Sequence, residues 1–477
     1  MRLQNYISSE FVDPSDQKWF PHHNPWTGEI SSEVPDSDVL DVVRAIQSAN
    51  KALPNWLKVD VEQRARFLEA IAVGLESNAS ELARLQSEDE GCLEAHALQT
   101  SIPRAASVFR LYARFMLDDR SVSVSSNKAH FFTHRNPHGI AAIISPATDP
   151  LVMISLRVAP ALAAGNVVLL KPSEYAPKTA NAFAQTVHGA GLPSGVFNLV
   201  QGRGEKVGKT ISTHPGLSLI SLIGQTETGR ELQRDAAEFL KRTHLSLSGR
   251  NPVLIFAGFD LKKAMPAILA STVRFEGPGC LRGSRIFVQE TIYKEFLEAF
   301  RTNLETLSPT QIGPVNRASH RARFEAAVQQ ALDEKGKLLT GGIGDPEGLD
   351  EKYRGGYFVK PTAIYDLTNC STLQQEEVPG PFVTISSFKY QHEALKHANT
   401  GPLGLAGYVF ETQGAKALRV AQKLDAGRVF INSPGAVADE RVPYGGLKNS
   451  GVGIEGAAAM MDFFSKPSLI ANYFAAD

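Results

Sequence analysis

The chain has 477 residues, with 49 Lys and Arg against 50 Asp and Glu, a formal net charge of −1. That balance argues against a nucleic-acid binder held by phosphate contacts, and 43% hydrophobic with 21% charged residues argues against disorder. Three cysteines, Cys92, Cys280 and Cys370, make no disulfide framework and offer no paired zinc spacing, which points to a reducing compartment and no metal.

The first residues reach Glu10 and Asp13 without the apolar core of a secretory signal. The longest uncharged apolar run, residues 158–170, is too short to span a bilayer and contains Pro160, Gly165 and Asn166. A soluble cytoplasmic protein of two or three domains is expected, with no membrane partner. Leu40, Val43, Ile46, Ala49 and Leu53 recur at three- and four-residue steps behind Asp36 and Ser37, which predicts a capped amphipathic helix. Asp60 predicts a second N-cap, with Gln63 reaching back and Phe67, Leu68, Ile71 and Leu75 as the buried stripe.

Residues 121–125 and 129–135 alternate polar and apolar around Ser126-Asn127 and read as a β-hairpin. Two strands are marginal alone, so the hairpin needs a partner in its own domain or in a neighbouring subunit. From residue 140, β-rich runs separated by amphipathic helices follow at 140–144, 167–170, 196–200, 217–223 and 253–256. A second set occupies 285–289, 382–387, 406–410 and 428–432. The alternation predicts an α/β chain with two domains and doubly wound parallel sheets, in which a ligand lies beyond the carboxyl ends of the strands.

Candidate chemistry sits at those ends. Lys171-Pro172-Ser173-Glu174 closes a strand with an ammonium and a carboxylate suited to ribose hydroxyls, and reads equally well as a solvated turn. The loop 202–208, which includes Gly204, has its third glycine one residue late for the dinucleotide fingerprint. At Gly224-Gln225 a strand ends and a helix begins, so free N–H groups could face a pyrophosphate. Gly277, Pro278 and Gly279 expose the backbone before Cys280, and Arg282 and Arg285 are expected to favour its thiolate. Cys92 and Cys370 read as buried, inert thiols. His130, His134 and His138 lack a matching second cluster, so no metal site is predicted.

Taken in order, these segments resemble the aldehyde dehydrogenase family over essentially the whole chain. The resemblance rests on Asn24-Pro25-Trp26-Thr27-Gly28-Glu29, residues 159–166 leading to Lys171-Pro172-Ser173-Glu174, residues 191–196, and the cysteine loop 277–285. It continues through residues 356–362, Glu376-Glu377-Val378-Pro379-Gly380-Pro381 and residues 443–451. Ser101-Ile102-Pro103-Arg104 and Asp462-Phe463-Phe464 are most similar to the branch acting on aminomuconate and hydroxymuconate semialdehydes.

The resemblance implies a Rossmann-like cofactor domain (1–118 and 138–246), an α/β catalytic domain (247–459) and a small β oligomerisation element (119–137 and 460–477). It implies NAD, with Lys171 and Glu174 at the adenosine ribose, Gly224 under the pyrophosphate, Glu377 at the nicotinamide ribose, and Ser173, Gly204 and Gln225 completing the set. Cys280 is the implied nucleophile, Arg104 the implied holder of a substrate carboxylate, and a homodimer or homotetramer the implied assembly.

The chain departs from the family pattern at reacting positions. Thr148 stands where the oxyanion asparagine is expected, with Asp149 beside it, and Ser246 stands where the deacylating glutamate is expected. Gln225 replaces a serine, Pro379 a phenylalanine, and Ala438 and Ile454 two arginines of the semialdehyde branch. Glu276 is a candidate stand-in for the missing base. The resulting expectation is NAD-dependent aldehyde oxidation with impaired deacylation. The alternatives are a degenerate nucleotide-binding or scaffold protein and an enzyme that passes its acyl group to coenzyme A.

Overall fold

The computed structural model describes residues 1–118, 121–273, 279–435 and 439–474. Runs of Val, Ile and Leu that alternate with helices become strands buried on both faces, because crossover helices cover a parallel sheet on each side. Ile140–Ile144, Val167–Lys171 and Leu219–Ile223 form the middle of an eight-stranded sheet, and Phe197–Leu199 and Arg242–Ser246 extend it in parallel. Its edges are antiparallel, with Asn5–Ile7 and Glu10–Val12 on one side and Gly451–Val452 on the other. The strand order reverses between Ile140–Ile144 and Leu219–Ile223, which opens a crevice at their carboxyl ends.

A seven-stranded sheet carries Thr362–Tyr365, Phe382–Phe388, Gly283–Gln289, Asn251–Ile255, Ala406–Phe410 and Arg428–Ile431 in parallel, with Lys337–Thr340 as an antiparallel edge. The run expected at 253–256 therefore belongs to this second sheet and not to the first set, since it pairs with Gly283–Gln289 and Ala406–Phe410. The amino ends of its strands follow directly on Ser248, Cys280 and Glu377, three residues that line one cavity with the carboxyl ends of the first sheet.

The expected hairpin forms from Ser123–Ser125 and Ala129–Pro137, and Ser465–Tyr473 adds a third strand alongside it. The predicted helices are Val39–Trp56 and Val61–Ser77. Asp60 accepts from the Gln63 N–H at 2.6 Å, as a cap should. The first helix corrects its expectation: Asp38 is the cap in place of Asp36 or Ser37, and Leu40 is 60% exposed. Its buried face is Val42, Ala45, Ile46, Ala49, Ala52 and Trp56, set by packing over the first sheet.

Helix Pro150–Ala163 is buried along its whole length and carries Arg157 into the core. Arg157 Nη2 meets Glu455 Oε1 at 3.0 Å, and the Tyr444 hydroxyl donates to Glu455 Oε2 at 2.6 Å. Burial opposes ionisation of Glu455, but Arg157, His244 and these hydrogen bonds hold it well below the usual carboxylate range. Among the described residues no helix is long and apolar enough to cross a membrane, and no group of three His, Cys, Asp or Glu could hold a metal ion.

Candidate active site

One cavity of about 380 Å³ lies between the two large sheets. Its lining brings together Thr148, Lys171, Ser173, Glu174, Gly204, Gly224, Gln225, Ser246, Cys280 and Glu377. Arg104 is the one candidate absent from that lining. It extends from helix Ile102–Phe115 and is ion-paired with Glu440, its Nε lying 3.1 Å from Glu440 Oε1.

At one end of the cavity Lys171 Nζ stands 3.2 Å from Glu174 Oε2. Burial opposes ionisation of Glu174, yet the Lys171 charge and the backbone N–H groups of Glu174 and Gly204 keep it below the usual carboxylate range. The pair is thus a fixed acceptor and donor for hydroxyl groups. Next to it, Gly224 ends its strand with its N–H on the Ser246 carbonyl at 3.0 Å, and Gln225 opens helix Thr226–Glu238. The first turn of that helix faces the cavity near Ser248, whose hydroxyl accepts weakly from the Thr226 N–H at 3.4 Å.

Ser248 also hydrogen-bonds Glu377. Burial pushes the Glu377 carboxyl up, while that hydrogen bond and the charges of Arg282, Arg323 and Arg250 oppose the rise. The sequence reading missed Ser248; its only signal was a hydroxyl in a position that the family resemblance fills with glycine.

Cys280 lies in the short turn Gly279–Leu281, anchored by Asn251 Nδ2 on its carbonyl at 2.8 Å. Burial, and then the Glu377 charge, pushes its thiol up to about 12. The expected help from Arg282 and Arg285 is corrected. Arg285 spends its guanidinium on the backbone carbonyls of Arg250, His397, Ala398 and Thr400, and Arg282 donates to the Val378 carbonyl at 3.2 Å. The cation that acts on the thiol is Arg428. Cys92 is buried as expected, but Cys370 is exposed, because its turn lies at the surface. Glu276 and Ala438 lie outside the described residues, and Ile454 is 56% exposed.

Thr148 sits in the loop between Ile140–Ile144 and helix Pro150–Ala163, partly buried against the cavity. The next residue, Asp149, takes a left-handed backbone (φ 45°) and is buried. Its N–H donates to Glu90 Oε1 at 2.8 Å, and Glu90 itself lines the cavity. Glu90 is a second residue that the sequence reading missed, because nothing in its local spacing marks it.

Residues 11–470 match the sequence profile of the aldehyde dehydrogenase family. The chain belongs to that family. It is 34% identical to 2-aminomuconic semialdehyde dehydrogenase of Homo sapiens over 475 residues, covering 98% of this chain and 97% of that one. It is 32% identical to 5-carboxymethyl-2-hydroxymuconate semialdehyde dehydrogenase of Escherichia coli over 455 residues, covering 94% and 96%. The crystal structure of HpcC from Thermus thermophilus superposes with a TM-score of 0.94 at 34% identity, over 100% of this chain and 94% of that one. The NAD+ complex of an aldehyde dehydrogenase from Bacillus cereus superposes with a TM-score of 0.95 at 28% identity, over 100% and 97%. The expected α/β aldehyde dehydrogenase fold is therefore the fold of this chain.

Proposed function

We propose that this aldehyde dehydrogenase family member oxidises an aldehyde, with acidic semialdehydes as the substrate class, and that release of the acid is its slow step. The observation that carries the reading is the single cavity shared by Cys280, Thr148, Ser246, Glu377 and the Lys171–Glu174 pair. Glu174 and Lys171 suit the adenosine ribose, and a carboxylate there repels a 2′-phosphate, which favours NAD over NADP. The first turn of helix Thr226–Glu238, with Gly224 and Gln225 before it, suits the pyrophosphate, and Glu377 suits the nicotinamide ribose. Ser173 and Gly204 complete that wall. NAD, when bound, supplies the hydride acceptor.

Cys280 attacks the aldehyde carbon. Burial holds the Cys280 thiol protonated near neutral pH, so its proton passes to water as the sulfur attacks. The Cys280 backbone N–H and the Thr148 hydroxyl donate to the oxyanion, one hydrogen bond from the hydroxyl in place of an amide. Loss of hydride then leaves a thioester on Cys280. Ser246 offers no base near neutral pH, so water attacks that thioester slowly. Arg104 receives a substrate carboxylate only when Glu440 leaves it, so Glu440 competes for that position.

Residues 1–118 and 138–246 act as the cofactor unit, 247–459 as the catalytic unit, and 119–137 with 460–477 as the assembly unit. The last of these exposes Val122, Val124, Leu469, Ile470, Tyr473 and Phe474, apolar surface suited to a second copy of the chain. Sedimentation velocity is expected to give a homodimer or homotetramer, and a monomer alone at micromolar concentration overturns that assignment. The compartment that suits Cys280 and exposed Cys370 as thiols is the cytoplasm.

Rapid mixing with excess NAD and a panel of acidic and neutral semialdehydes tests the reaction. One NADH per site in a burst, an acyl adduct on Cys280 by intact mass, and slow turnover afterwards are expected. No burst with any aldehyde, despite measured NAD binding, overturns the reading in favour of a degenerate binding protein. A burst followed by turnover that only coenzyme A accelerates moves the acyl group to a thiol acceptor.

A further inference from the structure

Helix Ala79–Glu90 ends beneath the cavity at Gly91, whose left-handed φ of 87° turns the chain away. Its last turn carries Gln86 and Glu90 four residues apart on one face, 1% and 6% exposed. Across from them Asp149 opens helix Pro150–Ala163, also 6% exposed. The Asp149 N–H donates to Glu90 Oε1 at 2.8 Å. Gln86 Nε2 lies 3.3 Å from each of Glu90 Oε2, Asp149 Oδ1 and Ser101 Oγ. Gln86 Oε1 is buried with no hydrogen-bond partner among the described residues. A buried amide oxygen calls for a donor, and a protonated carboxyl or a water molecule supplies one.

Two buried carboxyl groups set side by side disfavour the folded state unless a cation answers them. No lysine or arginine among the described residues forms an ion pair with Glu90. The groups that face it are the Asp149 carboxyl, the Cys92 thiol and the Gln86 amide. Arg104, whose charge interacts with that of Asp149, is itself paired with Glu440. Glu90 lines the cavity with Cys280, Thr148 and Ser246, whereas Asp149 stays behind it. Such an uncompensated pair at the wall of a reacting cavity is the arrangement that functional sites maintain.

We propose that Glu90, on another wall element of the same cavity, is the general base for hydrolysis of the Cys280 thioester, the role that Ser246 leaves unfilled. The proposal rests on the aldehyde oxidation described above. The water oxygen bonds to the acyl carbon, and its proton passes to the Glu90 carboxylate. The C–S bond breaks, the carboxylic acid departs, and the Cys280 thiolate recovers the proton from Glu90. Burial, and then the Asp149 charge, push the Glu90 carboxyl well above the usual carboxylate range, and its protonated form cannot accept. Deacylation therefore rises with pH, by up to about tenfold per unit, and levels once Glu90 is ionised.

The test follows acyl loss from Cys280 by intact mass between pH 6 and 9.5, in the full chain. The acyl group is loaded by an aldehyde with NAD, and separately by p-nitrophenyl acetate, which needs no hydride step. In Glu90→Gln the rate at the alkaline end of that range is expected to fall by about 10²-fold, and the plateau is lost. Asp149→Asn, which keeps Glu90 and removes its charged neighbour, is expected to move the midpoint to lower pH, a change that a purely structural role does not produce. Wild-type rates and an unchanged profile in Glu90→Gln overturn the proposal. Loading by the ester but not by any aldehyde overturns the aldehyde reading while still measuring Glu90, and a Cys280 that neither probe acylates overturns both.

Discussion

Ser246→Glu is expected to raise steady-state turnover by about 10²–10⁴-fold, the range that a positioned general base contributes. Ser246 closes strand Arg242–Ser246 at its carboxyl end, half-buried, on the wall that also carries Cys280. A carboxylate placed there can take a proton from water beside the thioester, which a serine hydroxyl near neutral pH cannot. The NADH burst should keep its amplitude while the slow phase after it becomes fast. A burst followed by an unchanged slow phase would sink the assignment of deacylation as the limiting step. In the Ser246→Glu background the penalty of Glu90→Gln should shrink, because two bases serving one water do not add.

Cys280→Ala is expected to abolish both burst and turnover, a fall of about 10⁴-fold or more, since no covalent step remains. The acyl adduct should vanish from the intact mass. Cys370→Ala is the matched control, an exposed thiol that does not line the cavity, and should leave both signals in place. Residual turnover in Cys280→Ala above about 1% of wild type would assign the nucleophile elsewhere.

The parallel strands were legible because Ile140–Ile144, Val167–Lys171 and Leu219–Ile223 are short runs rich in Ile, Val and Leu, interrupted only by Ala141, Ala142 and Ser221 and closed by Lys171. Which sheet a run joins was not legible. Residues 253–256 follow the first set closely in sequence, but pairing with Gly283–Gln289 is decided by strands still to come. Cap identity missed Asp38 by one residue from Ser37 and two from Asp36, because all three are capable and backbone geometry chooses among them.

The cavity's candidate residues were legible as motifs, and their electrostatics were not. Arg282 and Arg285 stand beside Cys280 in sequence, yet their guanidinium groups turn to backbone carbonyls, so burial governs the thiol. The contacts of Arg104 with Glu440 and of Glu90 with Asp149 join residues 336 and 59 positions apart. Spacing along the chain carries no trace of such partners.

Strand Ala129–Pro137 pairs along its length with Ser465–Tyr473, and Asn136 Nδ2 donates to Ser468 Oγ across a separation of 332 residues. At the roughly 5–20 residues per second of ribosomal synthesis, the earlier strand waits tens of seconds for the later one. For that interval its long edge is open to any other extended segment, including the same strand on a neighbouring nascent chain. The three-stranded sheet thus closes only after the later strand has been made, a long-range pairing that local sequence cannot hasten.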